Sequence, residues 1–368
     1  MFIALDSTVF WDDPNVKSGA WALLREFTSR SDSTVFIPQV VLDEVEANLG
    51  KRFDETVKEV KNAAQSLARL IDGEYRVPEP DRSEEMARYS RRLRSRLGEL
   101  KVKTLAYPLI SHAALVQRQV NHQRPFQAKG TGYRDALIWH SLLELLEGSK
   151  EDCVLVTNNS TDFAASKESP TVIHSDLQKD LDKSSIKGKV TISKNLDAFL
   201  DEHAKPTLKK LDDLKKDLEN GKPIDLKVEL KSRFKQIFEE INQDAARLLK
   251  LRRYDFRRLE EPIGISSMDE EPIDLRIDDV LEFTNQWVYL EFTGEYDAEI
   301  FGYLQHVDAY SLERDSALYV TDWDWSDYYV QVGANVTLRI SCRAVFDLNK
   351  NKIVNFEIKE VNTDEDSF

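Results

Sequence analysis

Four acidic side chains stand where short apolar runs give way to polar residues. Asp6 follows Phe2-Ile3-Ala4-Leu5, and Glu44 lies about one helical turn beyond Val35-Phe36-Ile37. Asp135 opens Asp135-Ala136-Leu137-Ile138-Trp139-His140, and Asp162 follows Val154-Leu155-Val156-Thr157. Carboxylates gathered in one place repel one another and raise each other's pKa until a cation neutralises them. Hard oxygen ligands without cysteine or histidine partners select Mg²⁺ or Mn²⁺, which keep waters and bind substrate phosphates. The chemistry that suits such a site is phosphodiester hydrolysis. Each acid also has an ordinary reading. Asp6 beside Ser7 and Thr8 suits a turn, and Glu44 competes with Asp43 and Glu46 for a helix first turn. Asp135 suits an N-cap, and Asp162 a turn in a post-strand loop. An acid at an apolar strand needs a partner, which weighs toward function for Asp6. Thr157 and Asn158 are expected to fix their loop by hydrogen bonds.

The basic residues that would hold a polyanion are Arg88, Arg91, Arg92, Arg94, Arg96, Lys101 and Lys103, set against the single acid Glu99. Without i,i+4 acidic partners they exceed what a solvated helix face requires, and phosphate binding follows as the competing role. Arg124, Lys129 and Arg134 lead directly to Asp135 and suit contacts with phosphates flanking the scissile one. A further basic stretch, Arg247 to Arg258 with Tyr254 and Phe256 interleaved, suits either a clamp on a strand or a helix docking against the acidic C-terminal domain. Gly130-Thr131-Gly132 lacks the third glycine of a dinucleotide loop, no Gly-x-Ser-x-Gly occurs, and the six histidines form no zinc pair. His140 is expected to pack rather than to act as a base.

The elements that must position these groups alternate. Strand-like runs at Phe2–Phe10, Thr34–Pro38, Cys153–Thr157, Thr171–Ile173 and Val190–Ile192 are interspersed with helical spacing at Gln39–Glu46 and Tyr133–Leu146. This predicts an α/β fold with a mainly parallel sheet, whose ligand crevice lies at the strand ends. Between about 51 and 129 the pattern is helical (Phe53–Ile71, Ser83–Leu100, Ser111–Gln123) and reads as an insertion. Residues 201–259 read as a charged helical connector, with one long basic helix over 226–259. Residues 260–368 carry short β-rich runs and read as a separate acidic domain, an antiparallel barrel or sandwich.

Four strings, in order and at suitable spacing, resemble the PIN-domain nucleases. They are Ile3-Ala4-Leu5-Asp6-Ser7-Thr8-Val9-Phe10, Ile37-Pro38-Gln39-Val40-Val41-Leu42-Asp43-Glu44-Val45, Gly130-Thr131-Gly132-Tyr133-Arg134-Asp135-Ala136-Leu137-Ile138-Trp139, and Val154-Leu155-Val156-Thr157-Asn158-Asn159 through Asp162-Phe163. The resemblance covers about residues 1–200. It implies a metal-dependent endoribonuclease in which Asp6, Glu44 and Asp135 match the first three family acids. Many members carry a further acid directly after Thr-Asn, where this chain has Asn159. Either Asp162 supplies the fourth carboxylate, or Asn159 orients a metal-bound water, or the second metal binds weakly. The implied substrate is RNA, with single-stranded DNA as an alternative. The competing reading is a catalytically weak PIN-fold protein that binds RNA or regulates.

Composition bounds these readings. The chain has 368 residues, 41% hydrophobic and 32% charged, with a formal net charge of −15. Residues 1–200 hold 28 Lys+Arg against 29 Asp+Glu, whereas residues 260–368 hold 7 against 25. The second segment repels phosphate, so any nucleic acid meets the first two thirds of the chain, and the acidic end suits a protein partner. Cys153 and Cys342 are the only cysteines, which excludes a disulfide framework and a thiolate zinc site. No apolar run approaches the ~18 residues of a membrane span, and a cytoplasmic location is expected.

Overall fold

Strands that lie in the middle of a parallel sheet are covered on both faces, so their sequences are almost continuously apolar rather than alternating. The N-terminal sheet follows this rule. The computed structural model describes the chain except for residues 12, 72–74, 76, 128–130, 167–168, 185, 251–255, 257, 285, 313–315 and 364–368. Its strands divide between two units, Met1–Thr207 and Leu208–Phe368.

The first unit is built on β1 (Phe2–Leu5), β2 (Thr34–Pro38), β3 (Lys103–Leu105), β4 (Cys153–Val156) and β5 (Val190–Ser193). They form one parallel sheet in the order β3-β2-β1-β4-β5. Its helices are α1 (Gly19–Arg30), α2 (Gln39–Leu70), α3 (Arg82–Glu99), α4 (His112–Val120), α5 (Tyr133–Leu146), α6 (Ser175–Lys183) and α7 (Leu196–Phe199). β1 and β4 are central, and their register, Leu5 against Val156, aligns the residues that follow each strand.

Several local expectations change. The helices expected at Gln39–Glu46 and Phe53–Ile71 are one 32-residue helix, because Gly50 lies against the side chains of Arg82 and Met86 and does not break it. The inserted segment is not wholly helical: it returns β3 to the sheet edge beside β2. Thr171–Ile173 forms no strand of the sheet among the described residues: Ile173 bridges Ala164, and the Thr171 carbonyl accepts from the Ile192 amide of β5 at 3.3 Å. The helix α1 is an element beyond those expected, and the helical spacing of Trp21, Leu23, Leu24 and Phe27 matches their burial.

The second unit contains α8 (Asp212–Glu219), α9 (Leu226–Ser232), α10 (Phe234–Gln243) and α11 (Ala245–Leu248). Its strands are β6 (Leu249–Lys250), β7 (Glu260–Met268), β8 (Asp274–Glu282), β9 (Trp287–Gln305), β10 (Tyr319–Asp322), β11 (Tyr329–Asp347) and β12 (Lys352–Thr363). All seven join one sheet, antiparallel apart from the β6–β12 pair. The first half of β9 pairs with β8 and the second half with β7.

The single long helix expected over 226–259 is instead a series of short ones, interrupted at Arg233 and Asp244. The breaks let Leu226 and Leu230, then Ile237 and Ile241, then Leu248 turn onto the same apolar core as Leu290, Ile340 and Val361 of the sheet. These helices are therefore a layer of the β-rich unit. Tyr254 lies outside the described residues, and Phe256 is buried in that core rather than offered for stacking. Among the described residues no helix is long and apolar enough to cross a membrane.

One backbone position governs how α5 presents its first turn. Gly132, the N-cap of α5, sits at φ 111°, and a Cβ there would lie 2.5 Å from the Pro125 carbonyl oxygen and 2.9 Å from the Phe126 Cα. Gly132→Ala is expected to cost on the order of 3 kcal/mol from left-handed strain and backbone overlap, visible as a lower chemical-denaturation midpoint. An unchanged midpoint would contradict this account of the turn.

Candidate active site

The sheet register brings the first acid to a neighbour that can satisfy it. Asp6 directly follows β1, and Thr157 directly follows β4; the Asp6 amide donates to the Val156 carbonyl at 3.0 Å. Asp6 is only 3% exposed. One oxygen accepts from Thr8 Oγ1 at 2.8 Å and Thr157 Oγ1 at 2.7 Å, and the other accepts from the Ser7 amide at 2.6 Å. The same hydroxyls fix the facing loop: Asn158 N donates to Thr8 Oγ1 at 2.9 Å, and Asn159 N to Thr157 Oγ1 at 3.0 Å.

Asp162 ends the short 3-10 turn after β4 and is 4% exposed. Its carboxylate accepts from Asn159 Nδ2 at 2.5 Å and from Gln127 Nε2, with the Arg124 guanidinium 3.9 Å away. Asn159 therefore serves Asp162, while its own Oδ1 accepts from Thr161 Oγ1 at 2.7 Å. Glu44, from α2, is paired with Arg134 of α5. Asp135 lies in the first turn of α5 and not at its N-cap.

Asp135 is the electrostatic centre of the group. Burial, then the charges of Asp162, Asp6 and Glu44, push its carboxyl up to about 7, against the pull of a hydrogen bond from its own amide. Among the described residues, no side-chain donor meets it. The structure thus brings together Asp6, Glu44, Asp135 and Asp162 from separate elements, with cationic side chains at Glu44 and Asp162 only. A positive ion is the natural complement. The oxygen-only donor set fits a hard divalent cation, although no group of three His, Cys, Asp or Glu among the described residues is close enough to hold one directly. Such a cation would take one or two carboxylates and complete its shell with waters and phosphate oxygens, the habit of Mg²⁺.

The basic residues divide. Arg124 and Arg134 lie at the acids. Lys129 lies outside the described residues. On α3, Arg88 does have acidic partners, Glu84 and Glu85 at 2.9 Å each, which corrects the expectation of an unpaired run. Arg96 donates to the Asn15 carbonyl and anchors α3. Arg91 and Arg92 are exposed, and Arg94 approaches Glu46 only to 3.9 Å. His140 packs beside Arg118, and burial followed by that charge lowers its imidazole to about 4, so it is neutral near pH 7.

Residues 3–163 match the family model described as PIN domain. That match makes the segment PIN-like. The match spans all four acids, and PIN domains are in general nucleases that use divalent metal ions. No curated protein and no solved structure matches the chain.

Sequence reasoning missed Gln127 and the threonines' shared service to Asp6. Gln127 precedes α5 in a loop with no periodicity, and nothing in its spacing pointed to Asp162. Thr157 was expected to fix its loop, as its bond from the Asn159 amide does, but its second bond, to Asp6, and that of Thr8 were not. A cavity of about 560 Å³ adjoins Glu44 and Arg134 and is also lined by Tyr107 and Tyr133.

The shifted Asp135 carboxyl sets a metal-free pH dependence. Its folded pKa of about 7 exceeds the ordinary 3.8, so the folded state holds a proton that the unfolded chain has released. Stability therefore falls as pH rises between those values. Asp135→Asn should stabilise the metal-free protein by on the order of 2 kcal/mol at pH 8 and by little near pH 4. Denaturation in chelator at both pH values checks this, and an equal effect at the two would contradict it.

Proposed function

We propose that the protein is a Mg²⁺- or Mn²⁺-dependent endoribonuclease whose PIN domain hydrolyses RNA phosphodiester bonds. The observation that carries the reading is the convergence of Asp6, Glu44 and Asp162 on Asp135 in a PIN-like segment. When bound, the divalent ion supplies Lewis-acid stabilisation of the phosphate and a water of lowered pKa. Asp135, with Asp6, Glu44 and Asp162 around it, would hold that ion. Thr8 and Thr157 keep Asp6 in one orientation. Arg124 and Arg134 neutralise neighbouring acids in the free protein and are placed to transfer their hydrogen bonds to phosphates of a bound strand. Arg91, Arg92 and Arg94 on α3 extend the phosphate contacts. A cytoplasmic setting is supported by two buried, free cysteines.

A second reading has its own support. Asp6, Glu44 and Asp162 already accept from protein donors, and Asn159 occupies the position after Thr-Asn. These features favour a catalytically weak PIN-fold protein that binds or regulates RNA. Titration with Mn²⁺ followed by calorimetry separates the two, since the enzyme reading requires binding that Asp135→Asn abolishes.

Cleavage of a defined RNA should require added Mg²⁺ or Mn²⁺ and fall at least ~100-fold in Asp6→Asn and Asp135→Asn. Either variant retaining wild-type cleavage would exclude its residue from the site. Single-stranded DNA of the same sequence tests the alternative substrate. Replacing Arg91, Arg92 and Arg94 by Gln should lower the slope of log K against log salt by ~0.7 for each phosphate that is no longer neutralised; an unaltered slope would return α3 to a solvated role.

A further inference from the structure

The connection from β10 to β11 holds Trp323, Asp324, Trp325, Ser326, Asp327 and Tyr328 in one run. Apolar rings of this size are normally turned inward, yet Trp323 is 44% exposed, Trp325 52% and Tyr328 76%, and the neighbouring Tyr310 is 77% exposed. The rings are held in a fixed arrangement. Tyr310 and Trp323 lie 5.2 Å apart between centroids, His306 lies 6.5 Å from each, and Trp325 packs 5.1 Å from Tyr303. The loop is tied by its own hydrogen bonds: Ser326 Oγ accepts from the Tyr329 amide at 3.0 Å, and the Ser326 carbonyl meets His306 Nε2 at 3.0 Å. A preformed surface of this kind gives up little conformational freedom on binding.

Charge decides what such a surface accepts. Ring faces attract bases and cations alike. Here Asp322, Asp324 and Asp327 are exposed between the rings, and the segment from residue 260 onward holds 7 basic residues against 25 acidic ones. A phosphate backbone is repelled by that field, whereas a cationic side chain gains from the carboxylates and the ring faces together. The rim already receives one such group from the chain itself. The Arg258 guanidinium lies 2.7 Å from Asp308 Oδ1 and 3.2 Å from Ser311 Oγ, next to the short helix that carries His306.

We propose that this aromatic and acidic surface of the C-terminal unit docks a Lys/Arg-bearing segment of a partner protein. The cation lies over Trp323 and Tyr310, with Asp322, Asp324 and Asp327 as its counter-ions.

The full-length protein can be titrated with a short Arg/Gly peptide, followed by tryptophan fluorescence and calorimetry. A Glu/Gly peptide of equal length and single-stranded RNA provide the comparison. The basic peptide should bind at least ~10-fold more tightly than either. Trp323→Ala and, independently, Tyr310→Ala should weaken it by ~5–30-fold. Asp324→Asn with Asp327→Asn should weaken it and flatten its salt dependence. Binding unaffected by both ring variants would overturn the proposal. So would preference for RNA over the peptide, which would make the surface a base-stacking platform. Concentration-dependent dimerisation that Trp323→Ala abolishes, without peptide binding, would assign the surface to a second copy of the chain and overturn it as well.

Discussion

A carboxylate taken almost wholly out of water must have its oxygens met, and the N-terminal unit is arranged around that requirement at Asp6. Two parallel strands in register deliver Asp6 and Thr157 to the same level, and Thr8 closes the third side. The hydroxyls that receive the charge also bond the Asn158 and Asn159 amides. The loop that carries Asp162 thus takes its shape from the acid it faces. Removing a single donor in so dry a place leaves an uncompensated charge, which is far more costly than the same loss at the surface.

Around this fixed point the remaining acids are held by different means. Glu44 and Asp162 are met by guanidinium and amide groups, while Asp135 is left with its own backbone amide. The result is an unequal distribution of negative charge, concentrated where α5 begins. Protein folds do not retain such an arrangement for stability, because like charges at close range oppose folding. It is the usual mark of a place that waits for a cation or a proton.

Much of this was legible in the amino-acid order, and the parts that were not have physical reasons. The strands preceding Asp6, Glu44 and Asp162 announce themselves because a buried parallel strand has no room for polar residues. β3 did not, since Lys103-Thr104-Leu105 is an edge strand of three residues with two of them exposed. The run at Thr171–Ile173 carries the same composition as a strand but meets the edge strand β5 through one hydrogen bond, from the Ile192 amide to the Thr171 carbonyl, and turns other backbone groups to Ala164 and Ala165. The basic appearance of α3 was misleading for a different reason. Arg88 and Arg96 are engaged with Glu84, Glu85 and the Asn15 carbonyl, and the last of these partners is far off in sequence. Within the connector expected over 201–259, the single helix expected from 226 hides its packing role, because its apolar positions, one stripe in the sequence, are divided among three short helices.

The two longest strands of the C-terminal unit have a further consequence. β9 and β11 pair residue for residue from Trp287 with Asp347 to Gln305 with Tyr329, with no slip. Their neighbours β7, β8, β10 and β12 all carry register shifts. Irregularity of register in this sheet is thus confined to the flanking strands, while the central pair acts as its ruler. Because side chains alternate faces, one residue added to or deleted from either strand would invert every position beyond the change. Evolution can therefore lengthen or shorten this unit at its turns and outer strands, but it can alter the central pair only by substitution.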